Sequence, residues 1–202
     1  MRLTPLRHQL MHYASRVDRI HVVKTVFRNF RRNQSGVTAI EFAFLAPLYF
    51  TLLLSSFELG LLYSRIAMLD HAVSTISKSV YIGTVAAGVD AGTITSDDIE
   101  QDVCDIAGLI LPNCVNNITV ELTEIASLTS FPAADATCRD SGTGLDPVVE
   151  FDPGGSSSIM FMRVCVTTNI ITPGLGLGLS LPKTDTDRYE LISSMAFMNE
   201  PF

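Results

Sequence analysis

Residues 42–57 carry no charge, and they sit inside a longer apolar stretch, residues 37–64, in which Glu41 and Glu58 are the only charged side chains. As a helix those 28 positions reach about 42 Å at ~1.5 Å per residue, more than the ~30 Å hydrocarbon core of a bilayer. One transmembrane helix is expected. Pro47 is compatible with it, because neighbouring helices re-satisfy a freed carbonyl and proline is commoner in membrane helices than in soluble ones. A cleavable secretory signal has an apolar region of only ~7–15 residues followed by a small-x-small site, whereas this run passes directly into more helix.

Charge differs sharply on the two sides of the span. Residues 1–36 hold eight Lys/Arg against one acid, Asp18, a net of +7, while the remaining six bases face twenty acids, a net of −14. The overall −7 is thus the sum of two opposed parts. Only Arg65 and Lys78 are basic in the forty residues after the span, which predicts a cytoplasmic N-terminus and an outer C-terminal body. An acidic body argues against nucleic-acid binding, which needs a basic face to release counterions from phosphates. With 47% hydrophobic residues and ordinary use of Gly and Pro, disorder over the whole length is excluded.

Beyond the span, Leu62, Ile66, Leu69, Val73, Ile76 and Val80 recur at three- and four-residue steps, so the helix is expected to continue outward and end near Gly83. Residues 95–111 open on the acids Asp97, Asp98 and Glu100 and stop at Pro112, predicting a short second helix. Alternation at Ile118, Val120 and Leu122, and the apolar or β-branched runs 159–167 and 189–198, predict three strands. Residues 132–157, rich in Asp, Gly, Ser and Thr, and residues 173–182, which repeat Gly-Leu, read as surface loops. The expected fold class is α+β: a long N-terminal transmembrane and stalk helix, then a small exported mixed domain with a short helix and an antiparallel sheet of about three or more strands. The boundaries are a basic leader 1–36, a transmembrane helix 37–64, its outward extension 65–83, and an outer domain 84–202.

All four cysteines, Cys104, Cys114, Cys138 and Cys165, follow the span, and an even number in an oxidising compartment favours two disulfides. Of the three pairings, Cys104 with Cys114 and Cys138 with Cys165 are preferred, since the first closes a short helix-to-loop segment and the second pins a long loop to a strand. No metal is expected, because the paired C-x-x-C spacing of thiolate sites is missing. The histidines are His8, His12, His21 and His71, which leaves the body beyond the stalk without one and excludes a Ser-His-Asp or Cys-His arrangement built within it. His71 reads as an exposed helical residue. Asp135, Asp140, Asp146 and Asp152 miss the EF-hand spacing and read as a solvated acidic loop. The sequon at Asn117 is given no weight.

The pattern richest in functional content is Arg31-Arg32-Asn33-Gln34-Ser35-Gly36 followed by Val37-Thr38-Ala39-Ile40-Glu41-Phe42: a basic end, a glycine, then an apolar helix whose fifth residue is Glu. It resembles a type IV prepilin processing site. In that family a membrane peptidase cuts after the glycine, which here would make Val37 the first residue and Glu41 the fifth of a 166-residue mature chain, 36 residues shorter than the full 202. A carboxylate near the centre of a membrane helix costs about 2.5–3.5 kcal/mol on insertion scales and calls for a partner. The resemblance implies that the Glu41 carboxylate pairs with the freed α-amine of a neighbouring subunit, with Phe42 beside it in the packing surface.

The run from Gly36 to Ala43 with Pro47 after it looks like the G-x-T-A-x-E-F-A opening of TadE-like proteins, pseudopilins of the tight-adherence or Flp pilus system. Phe57-Glu58-Leu59-Gly60 is similar to that family's E-x-G step, and Asn199-Glu200-Pro201-Phe202 to its ending. A leader of 36 residues is long for the group; a start at Met11, or a basic surface helix using Leu10, Ala14, Val17 and Ile20, accounts for the length. Ser56, Gly60 and Ser64 form a small-xxx-small ridge on which another helix could pack closely. Glu58 lies about 25 Å from Glu41 along a helix, near the outer interface, either solvated or in a subunit contact.

These features imply a non-enzymatic, single-span minor pilin or pseudopilin of the bacterial inner membrane, with a periplasmic domain, that assists Flp pilus assembly. Its expected partners are prepilin peptidase, other pilins and the assembly machinery. No cofactor, small-molecule substrate or nucleic acid is expected. The alternatives are a membrane-anchored periplasmic enzyme or binding protein and a pseudopilin of a type II secretion system.

Overall fold

A computed structural model describes residues 36–127, 131–132, 138–144, 146–184 and 187–201. The basic leader with its proposed helix positions, and Asp135 of the acidic loop, lie outside the described residues. The chain divides into two compact units, Met1–Phe50 and Thr51–Phe202. Helix α1, Val37–Tyr81, has 45 residues. Among the described residues it is the one helix long and apolar enough to cross a membrane. The described part of the first unit belongs to α1 apart from Gly36.

In the second unit α1 ends where Gly83 takes a left-handed backbone at φ 78°, a conformation that costs glycine little. The Gly83 N–H donates to Val80 O at 2.9 Å, closing the last turn two residues before the expected end. A seven-residue helix α2, Thr84–Asp90, follows. It was not anticipated, because Gly88 in its middle weakens the local helical pattern. Helix α3, Ser96–Ala107, starts on a capping box in which the Asp98 N–H donates to Thr95 and the Thr95 N–H to Asp98. These bonds from Thr95 hold the Asp98 carboxyl below its ordinary pKa. The expected extent to residue 111 is too long: the Gly108 N–H closes on Cys104 O at 2.7 Å and the chain then turns, while Leu111 still enters the core.

A 3-10 turn, Cys114–Asn116, leads into β1, Ile118–Glu124. Strand β2, Ile159–Asn169, a one-turn helix α4, Leu177–Ser180, and β3, Arg188–Met198, complete the elements. The sheet is antiparallel in the order β1-β2-β3. Because side chains alternate across a strand, the register that sets Val120 opposite Val164 and Leu122 opposite Met162 brings one apolar set to a single face. That face packs on Leu69, Val73, Ile76 and Val80 of α1 and on Ile99, Val103 and Ala107 of α3. The layout is α+β with a single helix-on-sheet core.

Two disulfides tie this layer together, Cys104 to Cys114 and Cys138 to Cys165, with Cα–Cα distances of 5.6 and 5.4 Å. The second carries the segment around Cys138 over the other face of the sheet, which is why Thr119 and Cys165, paired across β1 and β2, are buried there. The loop preceding β2 also borders β1, where Phe151 forms a parallel bridge with Leu122.

Candidate functional site

In the first unit the described residues of the cut-site pattern, Gly36 to Phe42, lie at the start of α1, and Arg31 to Ser35 lie outside the described residues. The α-helix begins at Val37, and a Cβ added to Gly36 would meet nothing within 4 Å. Glu41 is exposed, and among the described residues no cation forms an ion pair with it. Around it the side chains of Val37, Ile40, Phe42, Phe44 and Leu45 are all exposed. An apolar surface of this extent on a helix asks for lipid or for other helices.

In the second unit the structure settles Glu58 differently from both expectations. Its side chain is neither solvated nor free for a subunit: it is 1% exposed. Its carboxylate accepts the N–H of Ile171 at 3.1 Å, the N–H of Thr172 at 3.0 Å and the Thr172 hydroxyl at 3.1 Å. Two turns along the same helix, Arg65 is also buried. It donates to Ile110 O at 3.2 Å, to Asn169 O at 3.1 Å and to the Tyr189 hydroxyl at 2.6 Å. Burial pushes the pKa of the Tyr189 hydroxyl up against the opposing pull of the Arg65 guanidinium. The acid thus takes the donors, and the base an acceptor, of the segment that leaves β2. Charges buried this way are tolerable because their hydrogen bonds are supplied by the fold.

Ser56, Gly60 and Ser64 remain exposed. The two serine hydroxyls turn back onto the helix, donating to Leu52 O and Gly60 O, and a Cβ on Gly60 would meet nothing within 4 Å. The small-residue ridge is uncovered on the side away from the loop that Glu58 holds.

Sequence reasoning missed Arg65 and the hydrogen-bonding role of Glu58. A signal was available: both residues fall in step with the stripe Leu62, Ile66 and Leu69, on the face that becomes buried.

Of the described aspartates of the acidic loop, Asp146 and Asp152 are exposed as expected, and Asp140 is not. Asp140 is buried and accepts from the Arg188 guanidinium at 2.6 Å, beside the Asn117 Oδ1 that the same guanidinium reaches at 2.8 Å. Asp146 pairs with Arg139 at 2.8 Å, and Asp152 accepts the Gly154 N–H. The three carboxylates go to separate partners, and among the described residues no group of His, Cys, Asp or Glu is placed to hold a metal. Arg139 also reaches Glu100 at 2.7 Å. Burial raises the Glu100 pKa despite that partner. For Arg139, burial works downward, but Asp146 and Glu100 together hold it above its ordinary value. Asn117 of the sequon is fully buried, and His71 lies exposed on α1.

The closing residues are structural. Asn199 is buried and donates its amide to Pro153 O and Gly155 O, while the Glu200 N–H donates to Tyr81 O at 2.9 Å at the end of α1.

No curated protein and no solved structure matches the chain. Similarity is found along the long helix, where residues 36–77 match the family model described as TadE-like protein.

Proposed function

We propose that this chain is a TadE-like minor pilin or pseudopilin that assists assembly of a tight-adherence (Flp) pilus. The observation that carries the reading is the family match over residues 36–77, which begins on the glycine of the cut-site pattern and takes in the whole apolar part of α1. In this reading the basic leader holds the precursor's N-terminus in the cytoplasm, and prepilin peptidase cuts between Gly36 and Val37. The new ammonium of Val37 on one subunit then satisfies the Glu41 carboxylate of the next. Neither charge is stable alone in hydrocarbon, so their pairing favours side-by-side helices over isolated ones. The exposed apolar side chains around Glu41 and the open ridge of Ser56, Gly60 and Ser64 offer surface for such packing. Residues 84–202 act as an outer, periplasmic domain with an interaction role and no catalysis.

N-terminal sequencing and intact mass of the protein from bacterial membranes test this directly. The expected chain starts at Val37; one starting at Met1 or Met11 refutes processing. Gly36→Ala is expected to block or slow the cut. The added methyl has open space around it, so a processing defect would report on the peptidase rather than on folding. Glu41→Ala is expected to be processed but to impair piliation, and normal piliation would remove the charge-pairing role.

A further inference from the structure

The segment from Ile170 to Pro182 contains no charged residue and alternates Gly with Leu at positions 174–179. Its packing inverts the usual order of a water-facing loop. Gly178 is buried, while Leu175 and Leu179 are exposed, with Ile171 exposed beside them. The inward glycines are required by close approach: a Cβ on Gly176, whose φ is +54°, would overlap Ser55 Oγ, and one on Gly178 would overlap Thr172 O. Gly176 and Gly178 therefore face the protein while Leu175 and Leu179 face out; Gly174 is exposed and Leu177 half-buried.

The neighbours of this segment lie on the apolar part of α1. The Leu177 N–H donates to Ser55 Oγ at 3.2 Å, and a Cβ added to Gly176 would lie 3.4 Å from Thr51 O. Ser55 and Thr51 are about one and two turns inside the end of the uncharged run that Glu58 marks. Backbone placed at a membrane must satisfy its own polar groups, and this one does so to a large degree. The N–H groups of Ile171 and Thr172 go to Glu58, that of Leu177 to Ser55, and those of Leu175, Leu179 and Leu181 to carbonyls within the segment. At its base the Lys183 ammonium donates to Pro173 O at 2.7 Å, satisfying one more carbonyl of the segment.

We infer that residues 171–181 form a second membrane-contacting element, lying in the leaflet on the side of the folded domain with Leu175 and Leu179 against lipid chains. The inference rests on the reading of α1 as a membrane helix. Glu58 then holds two pieces of the protein at one depth, helix and loop, and the domain sits partly in the interface instead of on a free stalk.

The protein contains no Trp, so a single introduced Trp reports one position. Full-length Leu179→Trp and Leu175→Trp variants, reconstituted in phosphatidylethanolamine/phosphatidylglycerol vesicles, are compared with and without lipids brominated along their chains. Leu53→Trp on α1 reports the membrane helix, and Val148→Trp, at a fully exposed position, reports water. Non-reducing gels check that the disulfides form in each variant. Both loop tryptophans are expected to emit to the blue of Val148→Trp and to lose intensity to brominated lipid, as Leu53→Trp does. Loop emission like that of Val148→Trp, with Leu53→Trp still quenched, overturns the inference and leaves the membrane helix standing. Blue emission without lipid quenching places the leucines against protein, such as a second copy, and also overturns it. Loss of quenching at Leu53→Trp refutes the membrane helix itself, and the inference with it.

Discussion

Replacing Glu58 by Ala removes the common acceptor of the Ile171 N–H, the Thr172 N–H and the Thr172 hydroxyl. The hydroxyl can rotate to another acceptor, but the two backbone donors cannot. A buried donor left without a partner costs about 1–3 kcal/mol. Ile171 is exposed and Thr172 only half-buried, so both recover some hydration and the pair together amounts to ~1–3 kcal/mol of local stability. At about 1.4 kcal/mol per factor of ten, opening of the loop should become roughly fivefold to a hundredfold more frequent. Hydrogen exchange of the full chain in micelles can read this at the Leu175 and Leu177 amides. Their own acceptors, Thr172 O and Ser55 Oγ, are untouched by the substitution, so faster exchange there means that the whole loop has left the helix. Unchanged exchange at both amides would show that the loop is held elsewhere. Equal acceleration at Val164 in the central strand would show that Glu58 supports the entire domain rather than this loop.

Gly176→Ala should detach the same loop by a different route, adding a methyl that overlaps Ser55 Oγ at a left-handed φ of +54°, a strain of about 1–3 kcal/mol. Gly174→Ala, with open space around it, should be silent. Chymotryptic cleavage after Leu175 or Leu177 distinguishes the two, and equal cleavage in both variants would refute the close-approach reasoning. Glu100 gives a pH prediction: burial raises its folded-state pKa despite Arg139, so the folded chain holds that proton to higher pH than the unfolded one. Its contribution is fully present below the ordinary Glu pKa of about 4.3 and is lost as pH rises through the folded value. Glu100→Gln should remove this decline, seen as a urea midpoint that gains on the wild type as pH rises; parallel pH profiles would refute it.

The elements that were legible in the sequence are those whose partners impose a period. The stripe from Leu62 to Val80 needed only one apolar face, and Ile118, Val120 and Leu122 only one side of a sheet, so each element announced itself locally. The hydrogen-bonding partners of Glu58 and Arg65 lie more than a hundred residues away in Ile171, Thr172, Asn169 and Tyr189, and no local pattern encodes a distant backbone amide. Asp140 looked solvated for the same reason: its surroundings in sequence are Gly, Ser and Thr, but its guanidinium partner belongs to β3. The Gly-Leu repeat was visible as composition. Its inside-out packing was not, because glycine that makes a turn and glycine that admits a helix look alike in sequence. The cut-site pattern is contiguous in sequence, so its resemblance to one family was visible locally, and the match over residues 36–77 falls on that stretch.

The contacts between α1 and β3 also set a timetable. Arg65 meets Tyr189, Asp70 accepts from the Ser193 hydroxyl at 2.6 Å, and Tyr81 O accepts from Glu200, so the helix made first is completed by the strand made last. While the ribosome adds the hundred or so residues between them, the stripe of Leu69, Val73, Ile76 and Val80 has no β3 to cover it. Nascent chains of this topology therefore spend their synthesis with an open core face. A holding chaperone would be most useful in that interval, and a ribosome stalled before β3 would leave a helix unable to close its domain.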